Sequence, residues 1–191
     1  MIYPILKYDE KRTPFDILGL EANTDGGTSI DIPVKIGDND FGVGLKGIID
    51  RIEEKDGVVR IIDYKTGSDK KTFSRVAELF DRQNKQRNKA VFQTLFYSLL
   101  YAESGLAPAQ APIQASLFNI RELFSDQFSP LIQKVSGRQR WDIQDVRLYL
   151  QEFQSYLQTL LAEIFDDGTA FSQTDDATKC RYCAYTEICN R

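Results

Sequence analysis

The stretch between Phe41 and Lys65 constrains this chain most. Two apolar, β-branched runs, Phe41 to Glu53 and Val58 to Lys65, flank the turn composition Lys55-Asp56-Gly57. An Asp-Gly pair between alternating hydrophobic runs marks a tight hairpin, so the runs are predicted to pair at the centre of a sheet. Thr66-Gly67 ends the second strand. Both runs are interrupted by carboxylates, Asp50 after Ile48-Ile49 and Asp63 after Ile61-Ile62. Acids on a merely solvated face seldom break runs as apolar as these.

Elements on either side complete an α/β pattern. Residues 17–24 and 29–36 read as strands, the second with Ile30, Ile32, Val34 and Ile36 in alternation, joined as a hairpin through Asp25-Gly26-Gly27. A further turn at 37–40 leads into the Phe41–Glu53 strand. Residues 73–89 are polar and predicted to be helical or partly mobile. From Asn88 to Glu103 apolar residues at 91, 92, 95, 96, 99 and 100 follow the spacing of a buried helix face. The alternating segment 113–120 is a strand, reached from the hairpin by a helical crossover. A long amphipathic helix is predicted from Asp142 to about Asp166, with Asp142 or Gln144 near its start and Gly168 beyond its end. The expectation is one α/β core over residues 1–170 and a cysteine-bearing tail over 171–191.

Composition removes several chemistries. The 191 residues contain no histidine, which excludes Ser-His-Asp triads, Cys-His nucleophiles and His-ligated metals. Lys and Arg number 24 against 28 Asp and Glu, a net charge of −4, so any polyanion must be met locally. No apolar run reaches the roughly 20 residues of a membrane span, and the N-terminus lacks a signal-peptide pattern. A soluble chain in a reducing, cytoplasmic setting is expected.

On one strand Asp63 and Lys65 share a face about 7 Å apart, and the hairpin brings Asp50 beside Asp63. Two carboxylates flanking one gap make the oxygen-rich pocket that Mg²⁺ or Mn²⁺ prefers. A metal held there stabilises a phosphodiester transition state and lowers the pKa of an attacking water, with Lys65 orienting or deprotonating that water. A salt-bridge ladder on an edge strand would use the same residues.

Gly47, Asp50 and Arg51, followed by Ile62-Asp63-Tyr64-Lys65-Thr66-Gly67, resemble the active-site core of the PD-(D/E)xK nuclease superfamily, closest to RecB/AddB-type nuclease domains. The resemblance implies a restriction-endonuclease-like mixed central sheet flanked by helices. It assigns Asp50 and Asp63 to the metal and makes Lys65 the catalytic lysine. Gln93 and Tyr97, at i and i+4 on one helix face, match the family's Gln-x-x-x-Tyr motif beside the active site and the DNA strand. The implied activity is metal-dependent hydrolysis of DNA phosphodiesters, as an exonuclease, in a repair protein with a helicase domain or subunit. The alternative is a non-catalytic DNA-binding or scaffold module of the same fold.

Between Arg60 and Lys89 nine basic residues face four acidic ones, a local charge of +5. Lys70, Lys71, Arg75, Arg82, Lys85, Arg87 and Lys89 are the candidate DNA-backbone contacts. At the C-terminus Cys180, Cys183 and Cys189 follow a Cys-x2-Cys-x5-Cys spacing suited to a soft metal centre, zinc or iron-sulfur. In the resembled nucleases three such cysteines join a distant fourth around a 4Fe-4S cluster, and this chain has no fourth. The family's Glu or His on a helix before the first strand also has no match, Glu10 and Glu21 being the available acids. One missing N-terminal segment would account for both absences, so the chain is expected to be a fragment of a larger protein.

Overall fold

The computed structural model describes residues 2–22, 28–125 and 128–190, without the side chains of residues 2, 22 and 28. Strands β4 (Ile49–Lys55) and β5 (Val58–Lys65) form the anticipated antiparallel hairpin, with Arg51 opposite Ile62 and Glu53 opposite Arg60. Asp56 and Gly57 take φ of 53° and 77°, the left-handed pair that a two-residue hairpin turn requires. After β5 the chain forms β6 (Thr72–Phe73), α2 (Ala77–Phe80) and α3 (Lys89–Glu103) before entering β7 (Ile113–Asn119), which lies parallel to β5. Asn88 caps α3 by accepting from the Val91 amide at 3.1 Å.

The first strands pair differently from the sequence expectation. Strand β1 (Asp16–Ala22) runs antiparallel to β4, giving a sheet of order β1-β4-β5-β7. β2 (Thr28–Ile36) pairs with β3 (Asn39–Gly47) in a separate two-stranded ribbon. The expected hairpin between residues 17–24 and 29–36 is therefore not formed, and its Asp25–Gly27 turn lies outside the described residues. The Phe41–Glu53 run is also two strands, divided at Ile48. Side-chain burial explains the division: Ile30, Ile32 and Val34 of β2 are buried, packed against α3 and a later helix rather than across the central sheet.

Four other features differ. A helix α1 (Ile2–Glu10) precedes β1. The polar 73–89 stretch holds only the short β6 and α2, and a hairpin of β8 (Gln133–Ser136) and β9 (Gln139–Asp142) follows β7. Helix α4 (Arg147–Phe165) starts at Arg147 rather than Asp142. Asp142 ends β9 instead, where its carboxylate accepts from Ser129 Oγ at 2.7 Å and Gln133 Nε2 at 2.8 Å.

The core lies between the sheet and the helices. Ile52, Val59, Ile61, Ala115 and Leu117 of the sheet, Leu95 and Leu99 of α3, and Leu150, Phe153 and Leu157 of α4 are buried in one cluster. Full burial of the Val, Ile, Leu and Phe side chains among them stabilises by about 1.5–3 kcal/mol each. On the opposite face α1 is held by charge. Glu53, fully buried, pairs with Arg12, Arg51 and Arg60, Asp9 accepts from Arg51 at 2.7 Å, and Tyr8 Oη accepts from Arg60 at 3.1 Å. Beyond α4 the chain is mostly exposed, with a single 3-10 turn at Ala177–Cys180. Among the described residues no helix is long and apolar enough to cross a membrane.

Candidate active site

Asp50 sits one step beyond the Arg51–Ile62 register pair of the β4–β5 hairpin. The Tyr64 amide, between Asp63 and Lys65, donates to Asp50 Oδ2 at 2.8 Å. Alternation along β5 places Asp63 and Lys65 on the core side of the sheet. Lys65 Nζ stands 2.8 Å from Asp63 Oδ2 as an ion pair, while its directional hydrogen bond, 2.7 Å, goes to Gln93 Oε1 on α3. Gln93 Nε2 in turn donates to Tyr97 Oη at 2.8 Å. The structure thus brings Asp50, Asp63, Lys65, Gln93 and Tyr97 into one connected group.

Gly47 is what lets α3 approach so closely. A Cβ there would meet Leu100 Cδ1 at 2.8 Å and Tyr97 Cε1 at 3.0 Å, closer than carbon atoms pack. The glycine of the Gly-x-x-Asp pattern thus seats the tyrosine ring against β3.

Burial pushes the Asp63 carboxyl above its ordinary range; Lys65 opposes that shift, and the charges of Asp50 and Asp69 add to it. Asp63 is 2% exposed, and its Oδ2 makes no directional hydrogen bond despite the nearby ammonium. A buried carboxylate oxygen left in this way, next to a second carboxylate, suits a hard divalent cation. Mg²⁺ commonly takes one or two protein carboxylates and completes its shell with water and substrate phosphate. No third acid, cysteine or histidine joins a metal-sized cluster among the described residues. Glu10 and Glu21 lie on the exposed surface.

Residues that the sequence reading passed over organise the loop leaving β5. Asn119, paired with Lys65 across the parallel strands, is fully buried. Its side chain donates to Asp69 O at 2.8 Å and Glu122 Oε1 at 2.7 Å, and accepts from the Asp69 amide at 3.3 Å. A lone Asn at a strand end carries no sequence signal for this role. Lys71 Nζ is bound to Glu122 at 2.5 Å and to Ser129 O at 2.7 Å, and Arg82 pairs with Glu163. Of the seven candidate backbone contacts, Lys70, Arg75, Lys85, Arg87 and Lys89 are exposed outside such pairs.

The three cysteines are free thiols in the exposed tail. Cys180 O accepts from the Cys183 amide at 3.1 Å, but the thiols do not converge on a metal-sized site among the described residues. They do not fit a cubane cluster in this arrangement, which also needs four ligands.

A mixed sheet flanked by helices, with two acids and a lysine on its central hairpin, defines a nuclease-type α/β fold of the restriction-endonuclease-like class. A family model described as the PD-(D/E)XK nuclease superfamily matches residues 1–190, and the chain belongs to that superfamily. No curated protein and no solved structure matches it.

Proposed function

We propose that this domain is a divalent-metal-dependent DNA exonuclease of the RecB/AddB-like kind, working beside a helicase domain or subunit. The observation that carries the reading is the linked group Asp63, Lys65, Gln93 and Tyr97 with Asp50 alongside. A salt-bridge ladder would need only the Asp63–Lys65 pair; it gives no reason for a glutamine from another element to hold the lysine at 2.7 Å.

Asp50 and Asp63 would hold Mg²⁺ or Mn²⁺, which would supply charge stabilisation for the phosphodiester transition state and a more acidic attacking water. The Tyr64 amide fixes Asp50 for that task. Lys65 presents its remaining N–H groups to the attacking water or the scissile phosphate and takes part in proton transfer there. Gln93 is a positioning residue for Lys65, and Tyr97 holds the Gln93 amide plane. The exposed Lys70, Arg75, Lys85, Arg87 and Lys89 track the DNA backbone with salt-dependent affinity.

The test is degradation of end-labelled linear DNA and of covalently closed circular DNA with Mg²⁺ or Mn²⁺. Cleavage of linear DNA alone, lost in Asp63→Ala and Lys65→Ala, is expected. Full activity in both variants would remove the mechanism. DNA binding with no cleavage, by the parent and by an N-terminally longer chain alike, would make the domain a scaffold module instead.

A further inference from the structure

On the sheet face opposite α3, helix α1 and the segment after β7 enclose a cavity of about 460 Å³. Tyr3, Lys7, Tyr8, Lys11, Phe124 and Phe128 line it, and no acidic residue does so among the described ones. Two of the four rings form its floor. Tyr8 packs edge-on against Phe118 at 5.1 Å and Phe128 at 5.6 Å, and Phe128 against Phe118 at 5.7 Å. The other two rings stand in solvent, Tyr3 67% and Phe124 75% exposed. Lys7 Nζ lies 5.0 Å from the Tyr3 ring centre.

The cavity opens at the same end of the sheet as the acids. Arg12, past the C-terminal end of α1, reaches Glu53 and receives Lys55 at its carbonyl, so the helix points its N-terminal end and Tyr3 away from the hairpin turn. Phe124 and Phe128 follow β7, whose last residue, Asn119, is paired with Lys65. Lys71, in the loop leaving Lys65, places its ammonium 4.9 Å over the Phe128 ring. Asp50 and Asp63 thus lie on the α3 side of this end of the sheet and the cavity on the other side.

Exposed aromatic faces beside ammonium groups stack bases and neutralise their phosphates. A base inside a duplex has both faces covered by its neighbours, so only an unpaired one offers a face to such rings. We propose that this cavity binds an unpaired base of single-stranded DNA where the strand passes this end of the sheet. The inference rests on the nuclease reading for its place in the reaction, but its binding test does not need cleavage.

The experiment uses the whole chain with a metal chelator present. Anisotropy of a dye-labelled oligothymidine and of a dye-labelled duplex is measured for the parent, Tyr3→Ala, Phe124→Ala and the double variant, together with fluorescence of an oligonucleotide carrying 2-aminopurine. Each ring removal is expected to weaken single-strand binding about fivefold or more, the low end for one stacked base, to leave duplex affinity unchanged, and to relieve the quenching of 2-aminopurine. Both rings are solvent-exposed, so melting temperatures should match the parent. Unchanged single-strand affinity in the double variant overturns the proposal. So does self-association of the parent that the double variant abolishes without effect on single-strand binding, since the rings would then seat a second copy. If the parent cleaves DNA and the ring variants bind as the parent does, the cavity assignment alone fails. Ring-dependent binding by a parent that does not cleave would instead leave the cavity standing and sink the nuclease reading.

Discussion

Gln93 Oε1 accepts the hydrogen bond of Lys65 Nζ at 2.7 Å, so a side chain of the crossover helix fixes the ammonium at the end of the central strand. Misplacing a reacting group by about 1 Å costs about 10²-fold in rate. Gln93→Ala is therefore expected to lower single-turnover cleavage of labelled DNA by about 10- to 100-fold. Tyr97→Phe removes only the oxygen that receives Gln93 Nε2 and should cost less. Equal rates for parent and Gln93→Ala would mean that Lys65 needs no such anchor.

Burial raises the Asp63 carboxyl against the opposing influence of Lys65, with Asp50 and Asp69 adding to the rise. A carboxyl whose pKa is higher folded than unfolded favours the fold below its unfolded value, and that contribution disappears as pH rises through the folded pKa. Without metal, Asp63→Asn should accordingly melt higher than the parent at neutral pH. The gap should close in acid, below the ordinary aspartate range, where Asp63 is protonated and resembles the amide. Calorimetric melts across pH check this, and a gap that does not vary with pH contradicts it. Because metal and proton compete for the same oxygen, Mn²⁺ affinity is expected to climb as pH rises through the raised pKa.

Gly47→Ala would drive a methyl group against Leu100 and Tyr97. Overpacking of this kind costs about 1–3 kcal/mol, and here it pushes α3 away from the sheet. Both a lower urea midpoint and a cleavage defect beyond that of Tyr97→Phe are expected. A variant as stable and active as the parent would show that the helix has room to shift.

Glu53 is the buried counter-charge for three arginines, Arg12, Arg51 and Arg60. Removing one partner of a buried ion pair costs about 3–5 kcal/mol, because the other charge is left stranded. Glu53→Ala should lose about that much in equilibrium unfolding. A loss below about 1 kcal/mol, the ceiling for most exposed pairs, would show that water reaches the arginines.

The hairpin with its acids was legible because the Asp-Gly turn, the two apolar runs and the interrupting carboxylates agree with one another. The same holds for α3, whose apolar stripe runs unbroken from Val91 to Leu100, and for β7. Strand pairing at long range was not legible: nothing local in residues 16–22 says that their partner is β4 rather than β2. Helix α1 is short and is fixed by Asp9 and Tyr8 reaching Arg51 and Arg60, contacts with no periodic signature. Lys71 and Arg82 read as free cations because Glu122 and Glu163, their partners, lie far away in sequence. Within the site the two acids and the lysine were visible as a pattern, whereas Asn119 was not, since its part depends wholly on β7 lying beside β5.

The parallel pairing of β5 with β7 also orders events in time. The β4–β5 hairpin closes over two residues, Asp56 and Gly57, while Lys65 comes opposite Asn119 only after the whole crossover has been wound and docked. Loop closure favours the short connection by a wide margin in rate. In pulse-labelled refolding, amides of the β4–β5 ladder are expected to gain protection before those of β7; simultaneous protection would speak against a staged route. Asp50 and Asp63 thus become neighbours early, and Lys65 stays unanchored until α3 arrives.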